Sequence, residues 1–235
     1  MREAAAGLWR LLLPVRCPAC GAVAESLLCR PCAVGLERYA LPDLGLTMLA
    51  EGVVTVGAYA YEGTVAETVR GLKVAGRWAA ARGLGLQLRR RLGLPPEDAV
   101  PVTWVPATRR RRRRRGMDLP ELLAGPRAVR LLEATAERPD QTSLRPADRR
   151  TSPGGAFVAR GPVPPAVVLI DDVRTTGATA TAAALALRAG GARRVLVATF
   201  AVGGDAARET AAQDSRVRPA STSNSAGTSS GSGTW

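Results

Sequence analysis

All four cysteines of the chain stand in two Cys-x-x-Cys pairs, Cys17-Pro-Ala-Cys20 and Cys29-Arg-Pro-Cys32, with eight residues between them. The tight turn of each pair aims two sulfurs at one point, and four soft thiolates match tetrahedral zinc. Two disulfides or redox pairs would use the same residues. The pair–loop–pair spacing and the lack of a secretory pattern favour a closed, structural zinc site at Cys17, Cys20, Cys29 and Cys32. The apolar run from Leu8 to Val15 is interrupted by Arg10 and enters the cysteine motif without a small-residue cleavage site. A cytoplasmic protein is therefore expected. No run of about 18 uncharged apolar residues occurs, so no membrane span is expected.

A second constellation reads Val167-Val-Leu-Ile-Asp171-Asp172-Val-Arg174-Thr175-Thr176-Gly177-Ala178-Thr179. An apolar strand ends in two adjacent carboxylates, expected at an exposed strand end where α/β sheets bind ligands. A Thr- and Gly-containing loop follows, then a helix. Backbone N–H groups at a helix start, with Gly177 allowing close approach, suit a phosphate. The hydroxyls of Thr175, Thr176 and Thr179 add donors. Asp171 and Asp172 could accept hydrogen bonds from vicinal sugar hydroxyls or help hold a hydrated magnesium ion. An ordinary strand–loop–helix junction with capping residues is the plainer explanation, but capping alone leaves two carboxylates behind a buried strand unexplained.

The charge balance agrees with a phosphate-bearing partner. The chain has 33 basic and 20 acidic residues, a net charge of +13, and Arg109 to Arg115 alone supply seven of those charges. Such an excess attracts nucleotides, sugar phosphates, nucleic acid or an anionic surface. A run of seven like charges is also, more plainly, a solvated and mobile stretch. Aromatics are 4% of residues and none interrupts the run, so a stacking platform for single strands is not evident. Of the 33 basic residues only Lys73 is not Arg. It either marks a place that needs a compact ammonium or is there by chance. With no His in the chain, Ser-His-Asp catalysis, Cys-His catalysis and His-ligated metals are excluded.

The segment from Asp171 to Thr179 resembles the 5-phosphoribosyl pyrophosphate (PRPP) loop of type I phosphoribosyltransferases. Joined to the four-cysteine motif, it resembles the competence protein F (ComF) family, which includes gluconate-utilisation GntX-type proteins. Tyr61-Glu-Gly63, Leu72-Lys73-Val-Ala-Gly76-Arg77, Val105-Pro106 with the Arg run and Gly116, Asp140-Gln141-Thr142, Arg149-Arg150 and Gly155-Ala156-Phe157 extend the match over roughly residues 14 to 204. The resemblance implies a type I phosphoribosyltransferase fold and a magnesium-dependent transfer of the phosphoribosyl group. It implies ribose contacts from Asp171 and Asp172, 5-phosphate contacts from Arg174, Thr175, Thr176, Gly177, Ala178 and Thr179, and a pyrophosphate loop around Ala107 and Thr108. Asp171, Asp172 and Lys73 are its candidate catalytic residues. The family name also implies the alternative of a DNA-uptake accessory that binds single-stranded DNA and uses the fold without turnover. A homodimer is a further partner to consider. Two positions depart from the family pattern. Gly116-Met117-Asp118-Leu119 stands where Gly-Phe-Asn-Gln is usual, and Ser152 where Asn is. Both changes remove amides that could read a base or hold a loop.

The elements expected to position these residues divide the chain into a zinc module at 1–40, a phosphoribosyltransferase-like α/β domain at 50–204 and a disordered tail at 205–235. Periodicity predicts helices over Glu3 to Leu13, Thr64 to Lys73, Trp78 to Leu92, Leu119 to Ala136 with a break at Gly125-Pro126, and Ala178 to Ala189. Strands are predicted at Val53 to Tyr61, Val100 to Val105, Ala166 to Ile170 and Val195 to Val202. Strand–helix alternation from Val100 onward points to a mainly parallel sheet flanked by helices. Gly93 to Asp98 reads as a turn and Pro139 to Gly155 as a polar loop. From Ala220 to Trp235 the chain has no charge and is mostly Ser, Thr, Gly and Ala, which cannot bury a core.

Overall fold

The computed structural model describes residues 15–24, 26–135 and 155–204. The predicted Glu3 to Leu13 helix, the loop at 139–154 with Ser152, and the 205–235 tail lie outside the described residues. The centre of the protein is a pair of long parallel strands, β6 (Ala166–Arg174) and β7 (Arg194–Val202), in register from Ala166 with Arg194 to Arg174 with Val202. Apart from Asp171, Asp172 and Arg174 of β6 and Arg194 and Thr199 of β7, both consist of Val, Leu, Ile, Ala and Phe, as strands covered on two faces require. β2 (Val53–Ala60) pairs parallel with β7, and β3 (Val102–Trp104) pairs parallel with β6. A short strand, β1 (Thr47–Leu49), adds antiparallel to β2, giving the order β1-β2-β7-β6-β3.

Alternation along the strands divides the core. Val168 and Ile170 of β6, with Ala198 and Phe200 of β7, pack on one face. That face is covered by α2 (Gly63–Lys73), α3 (Ala81–Arg91), α5 (Leu119–Ala124) and the cysteine segment with its helix α1 (Arg30–Glu37). Val167 and Leu169, with Val195 and Val197, pack on the other face under α6 (Ala178–Ala189). Four alanines of α6, Ala180, Ala183, Ala184 and Ala186, are buried there. Small side chains let that helix lie close to the sheet.

The chain is thus α/β, with a mostly parallel mixed sheet, flanking helices and a four-cysteine cluster near its start. Several predicted elements differ in the structure. The expected helix over Leu119 to Ala136 stops at Ala124, where Gly125 and Pro126 break it. Leu132–Ala134 is instead a strand, β4, paired antiparallel with β5 (Phe157–Ala159). Burial of Leu131, Leu132 and Phe157 in the second core outweighs the helical pattern there. The Arg run forms a helix, α4 (Arg109–Arg115). Its first turn is capped by Thr108, whose hydroxyl accepts the Arg111 N–H at 3.4 Å, and Gly116 closes it in the left-handed conformation. Arg is a good helix former, and these end caps oppose the repulsion along the run.

Candidate functional site

Cys17 to Cys20 form a tight turn in which Gly21 N–H donates to Cys17 C=O at 2.9 Å. Cys29 caps α1, whose first turn carries Pro31 and Cys32. These two local structures bring all four sulfurs within 4.8 Å of one another. A tetrahedral zinc with bonds of about 2.3 Å needs sulfurs about 3.8 Å apart, so the cluster matches that donor set in number, chemistry and spacing. None of the four is disulfide-bonded, and the Cys20 and Cys29 sulfurs are 3.5 Å apart. Burial opposes the Cys17 thiolate, but backbone N–H groups of Cys20, Cys29 and Ala19 outweigh it and bring the thiol down to about 7. Burial and the three neighbouring thiols push Cys32 up. A cation placed among them would reverse that mutual suppression. Four cysteines so arranged can hold a zinc ion.

The second site is a cavity of about 1040 Å³ at the C-terminal ends of β3 and β6. The β6 ladder runs through Asp171 and Val173 to Arg174, so the carboxylates lie inside the strand. This corrects the expected exposed strand end: Asp171 is 7% exposed and Asp172 9%. The motif is stiffened by continued pairing with β7. Asp172 points to α2, whose last residue, Lys73, places its Nζ 2.7 Å from Asp172 Oδ2. A cation also suits the negative end of that helix. Asp172 N–H donates to Asp171 Oδ1 at 2.8 Å. Burial, then the adjacent Asp172, push the Asp171 carboxyl far above the usual carboxylate range. Burial and its neighbour thus disfavour the ionised form of Asp171, while Asp172 is the carboxylate that Lys73 contacts.

The other wall is the segment leaving β3. Val105 N–H donates to Ile170 C=O at 2.9 Å, so this segment is held beside β6. Ala107 and Thr108 then face the cavity, followed by Arg111 of α4. Ala107 N–H donates to Asp118 Oδ2 at 2.8 Å. Asp118 is 5% exposed. Burial raises its carboxyl to about 6 against the opposing Ala107 hydrogen bond; Glu121 and Asp172 raise it further and Arg112 lowers it.

No family model and no curated protein matches this chain.

Of the residues singled out in the sequence, Lys73, Asp171, Asp172, Thr175, Ala178, Thr179, Ala107 and Thr108 all line this one cavity. Arg174, Thr176 and Gly177 are not among its lining residues. Arg174 is 2% exposed, embedded at the end of β6. Thr176 is exposed, its hydroxyl accepting Ala178 N–H at 3.4 Å. Gly177 is needed for a different reason from the one expected. It has φ +80°, and a Cβ there would lie 2.6 Å from Leu49 Cδ1, so the close approach is to β1 and not to the cavity.

Sequence reasoning missed Asp118 as a site residue. Taking Asp118 as the loss of a loop-holding amide overlooks that its carboxylate itself holds the loop through Ala107. Any acceptor at that position can do so. It also missed the aromatic walls, Tyr61, Trp78 and Phe157. Three of the chain's nine aromatics (four Trp, three Tyr, two Phe) thus meet in one cavity, and nothing in their spacing announces it. Among the described residues no helix is long and apolar enough to cross a membrane.

Proposed function

We propose that the cavity binds PRPP and that the chain is a phosphoribosyltransferase of the competence protein F type. The observation that carries this reading is the meeting of three separate segments at one cavity: Lys73 at the end of α2, the Ala107–Thr108 loop, and the Asp171–Thr179 stretch with its two carboxylates and the turn at the start of α6. Vicinal carboxylates suit the two ribose hydroxyls. The turn offers hydroxyls of Thr175 and Thr179 and the Ala178 backbone to a 5-phosphate. The loop and Arg111 offer donors and charge to a pyrophosphate. The cavity's size, at the top of the usual range of about 300–1,000 Å³, leaves room for a second, planar reactant against Tyr61 and Trp78.

In the reaction proposed, a C–N bond forms at the anomeric carbon while the C–O bond to pyrophosphate breaks. The electron pair leaves on the diphosphate and the nitrogen loses its proton. Such a transition state is oxocarbenium-like, so charge placement and alignment carry the catalysis. The anionic Asp172 suits the developing positive charge, and Lys73 fixes where that carboxylate lies. Magnesium, which prefers hard oxygens and keeps its water, would accompany the diphosphate; the carboxylates of Asp171 and Asp172 are oxygen donors of that kind. The four-cysteine cluster is proposed to hold structural zinc. The cytoplasm is the proposed compartment.

Calorimetric titration with PRPP and magnesium tests the reading. Saturable binding is expected in the intact protein. Lys73→Met removes the partner of a nearly buried carboxylate and should weaken it about tenfold or more. Absence of saturable binding in the unaltered protein overturns the proposal. A screen of bases and amines for pyrophosphate release would then identify the acceptor. The second reading, a single-stranded DNA accessory in DNA uptake, is favoured by one observation: α4 presents Arg112, Arg113 and Arg114 to solvent. The two readings are not exclusive.

A further inference from the structure

The four-cysteine turn and the cavity are joined by one short piece of chain. Pro18, between the first two cysteines, sits directly on the backbone of α2. A Cβ on Gly71 would fall 1.7 Å from the Pro18 carbonyl oxygen, so that position can carry no side chain. The turn after α2 then folds back on the same place. Arg77 N–H donates to Gly71 C=O at 3.2 Å, and Val74 N–H to Arg70 C=O at 2.8 Å. Arg77 Nη1 donates to the carbonyls of Pro18 at 3.2 Å and Ala19 at 3.3 Å. Both carbonyls belong to the Cys17–Cys20 turn, which the Gly21 N–H to Cys17 C=O hydrogen bond closes. The residues flanking this turn, Lys73 and Trp78, both line the cavity, and Lys73 holds Asp172 at 2.7 Å.

We propose that Arg77 is a positioning residue: by clamping the 74–77 turn to the Pro18 and Ala19 carbonyls, it couples the wound, metal-holding state of the cysteine turn to the placement of Lys73 and Trp78 in the cavity. The coupling is mechanical. Four cysteines fix the turn, the turn fixes two acceptors, and a guanidinium bridging them fixes the segment that ends in the cavity's one ammonium. A cysteine turn without its ion loses the acceptor geometry, and the 74–77 segment loses its only tie outside α2 among the hydrogen bonds described. The effect on ligand affinity rests on the PRPP reading; the effect on the segment does not.

The experiment uses the full chain loaded with zinc, the same chain treated with a chelator, and the zinc-loaded variants Arg77→Gln and Arg77→Lys. Metal content, amide exchange and Mg–PRPP affinity are measured on each. Chelation should raise exchange across residues 73–78 about tenfold, together with the cysteine segment. Arg77→Gln should keep its zinc, leave exchange at 17–32 unchanged, raise exchange at 73–78 and weaken PRPP about tenfold. Arg77→Lys should restore both, because a single nitrogen already serves both carbonyls. Exchange at 73–78 that stays at its original rate in zinc-loaded Arg77→Gln overturns the proposal, whatever chelation does to the rest of the chain. If the unaltered protein binds no PRPP while exchange responds as described, the PRPP reading falls and the coupling stands.

Discussion

The cysteine module and the cavity floor each pack like ionisable groups against one another, and they compensate for it in different ways. In the module, burial and neighbouring thiols all oppose ionisation of Cys32, and a cation from outside is what would satisfy four thiolates at once. In the cavity, Asp171 and Asp172 are as crowded, but Lys73 reaches across from α2 to 2.7 Å and supplies the counter-charge from within the chain. A cluster of the first kind can make folding depend on a ligand. The second is balanced within the chain. On the function proposed above, the module is a structural part and the cavity a working one.

The most damaging way to test this contrast is to remove one thiol. Cys17 is fully buried. Apparent zinc binding in such sites is worth about 10–16 kcal/mol, comparable to the whole stability of a domain, about 5–15 kcal/mol. Cys17→Ser is therefore expected to lose its zinc and to shift thermal unfolding strongly downward. Elemental analysis and a melting curve check it. Full zinc content with an unchanged melting temperature would place the module's stability elsewhere.

The same contrast explains what could be read in advance. The module's ligands lie within 16 consecutive positions, Cys17 to Cys32, so spacing alone discloses them. The cavity draws on β6, α2, the β3–α4 segment and α5, and only the Asp171–Thr179 stretch was dense enough to recognise as a site. Lys73 was conspicuous as the one Lys among Arg residues. Asp118 was not, because its role comes from the way α5 turns back under Ala107. The sheet's long strands and α2, α3 and α6 were legible from periodicity. Of the three-residue strands, β3 was legible because it lies in the apolar run Val100 to Val105; β1, β4 and β5 have no such run around them, and their pairing partners decide them.

A gentler test separates held charge from compensated charge. Asp118 has no ammonium beside it, and burial raises its carboxyl from 3.8 to about 6. Below pH 4 the group is neutral in both folded and unfolded chains and costs nothing. As pH rises the unfolded chain releases its proton first, so stability falls until the folded group ionises near pH 6. A shift of this size is worth about 3 kcal/mol. Asp118→Asn keeps an acceptor for Ala107 N–H and removes the charge. Urea unfolding of both proteins from pH 4 to 7 should show the variant gaining about 2–3 kcal/mol relative to the parent across that window. A difference that stays flat with pH would mean that Arg112 and the Ala107 hydrogen bond offset burial and leave Asp118 ionised at its ordinary value.

The smallest effect on stability, and the finest division of function, is expected in α4. Arg111, Arg113 and Arg114 are all exposed, but only Arg111 of the three lines the cavity. Gln is nearly as good a helix former as Arg, so replacing either set should leave the helix in place. Arg111→Gln should weaken Mg–PRPP binding and change the salt dependence of single-stranded DNA binding by no more than one contact, about 0.7 units of slope. Arg113→Gln with Arg114→Gln should do the reverse, flattening the slope by about 1.4 units while PRPP affinity is unchanged. The loss should be the same for every DNA sequence, because phosphate contacts carry no base information. Titrating both ligands on both variants at several salt concentrations reads the division directly. If the outer pair leaves the DNA slope unaltered, those Arg residues are a solvated helix face, and the run's contribution narrows to Arg111 at the cavity. If Arg111→Gln leaves PRPP affinity unaltered, the pyrophosphate end of the proposed site must rest on the Ala107–Thr108 backbone alone.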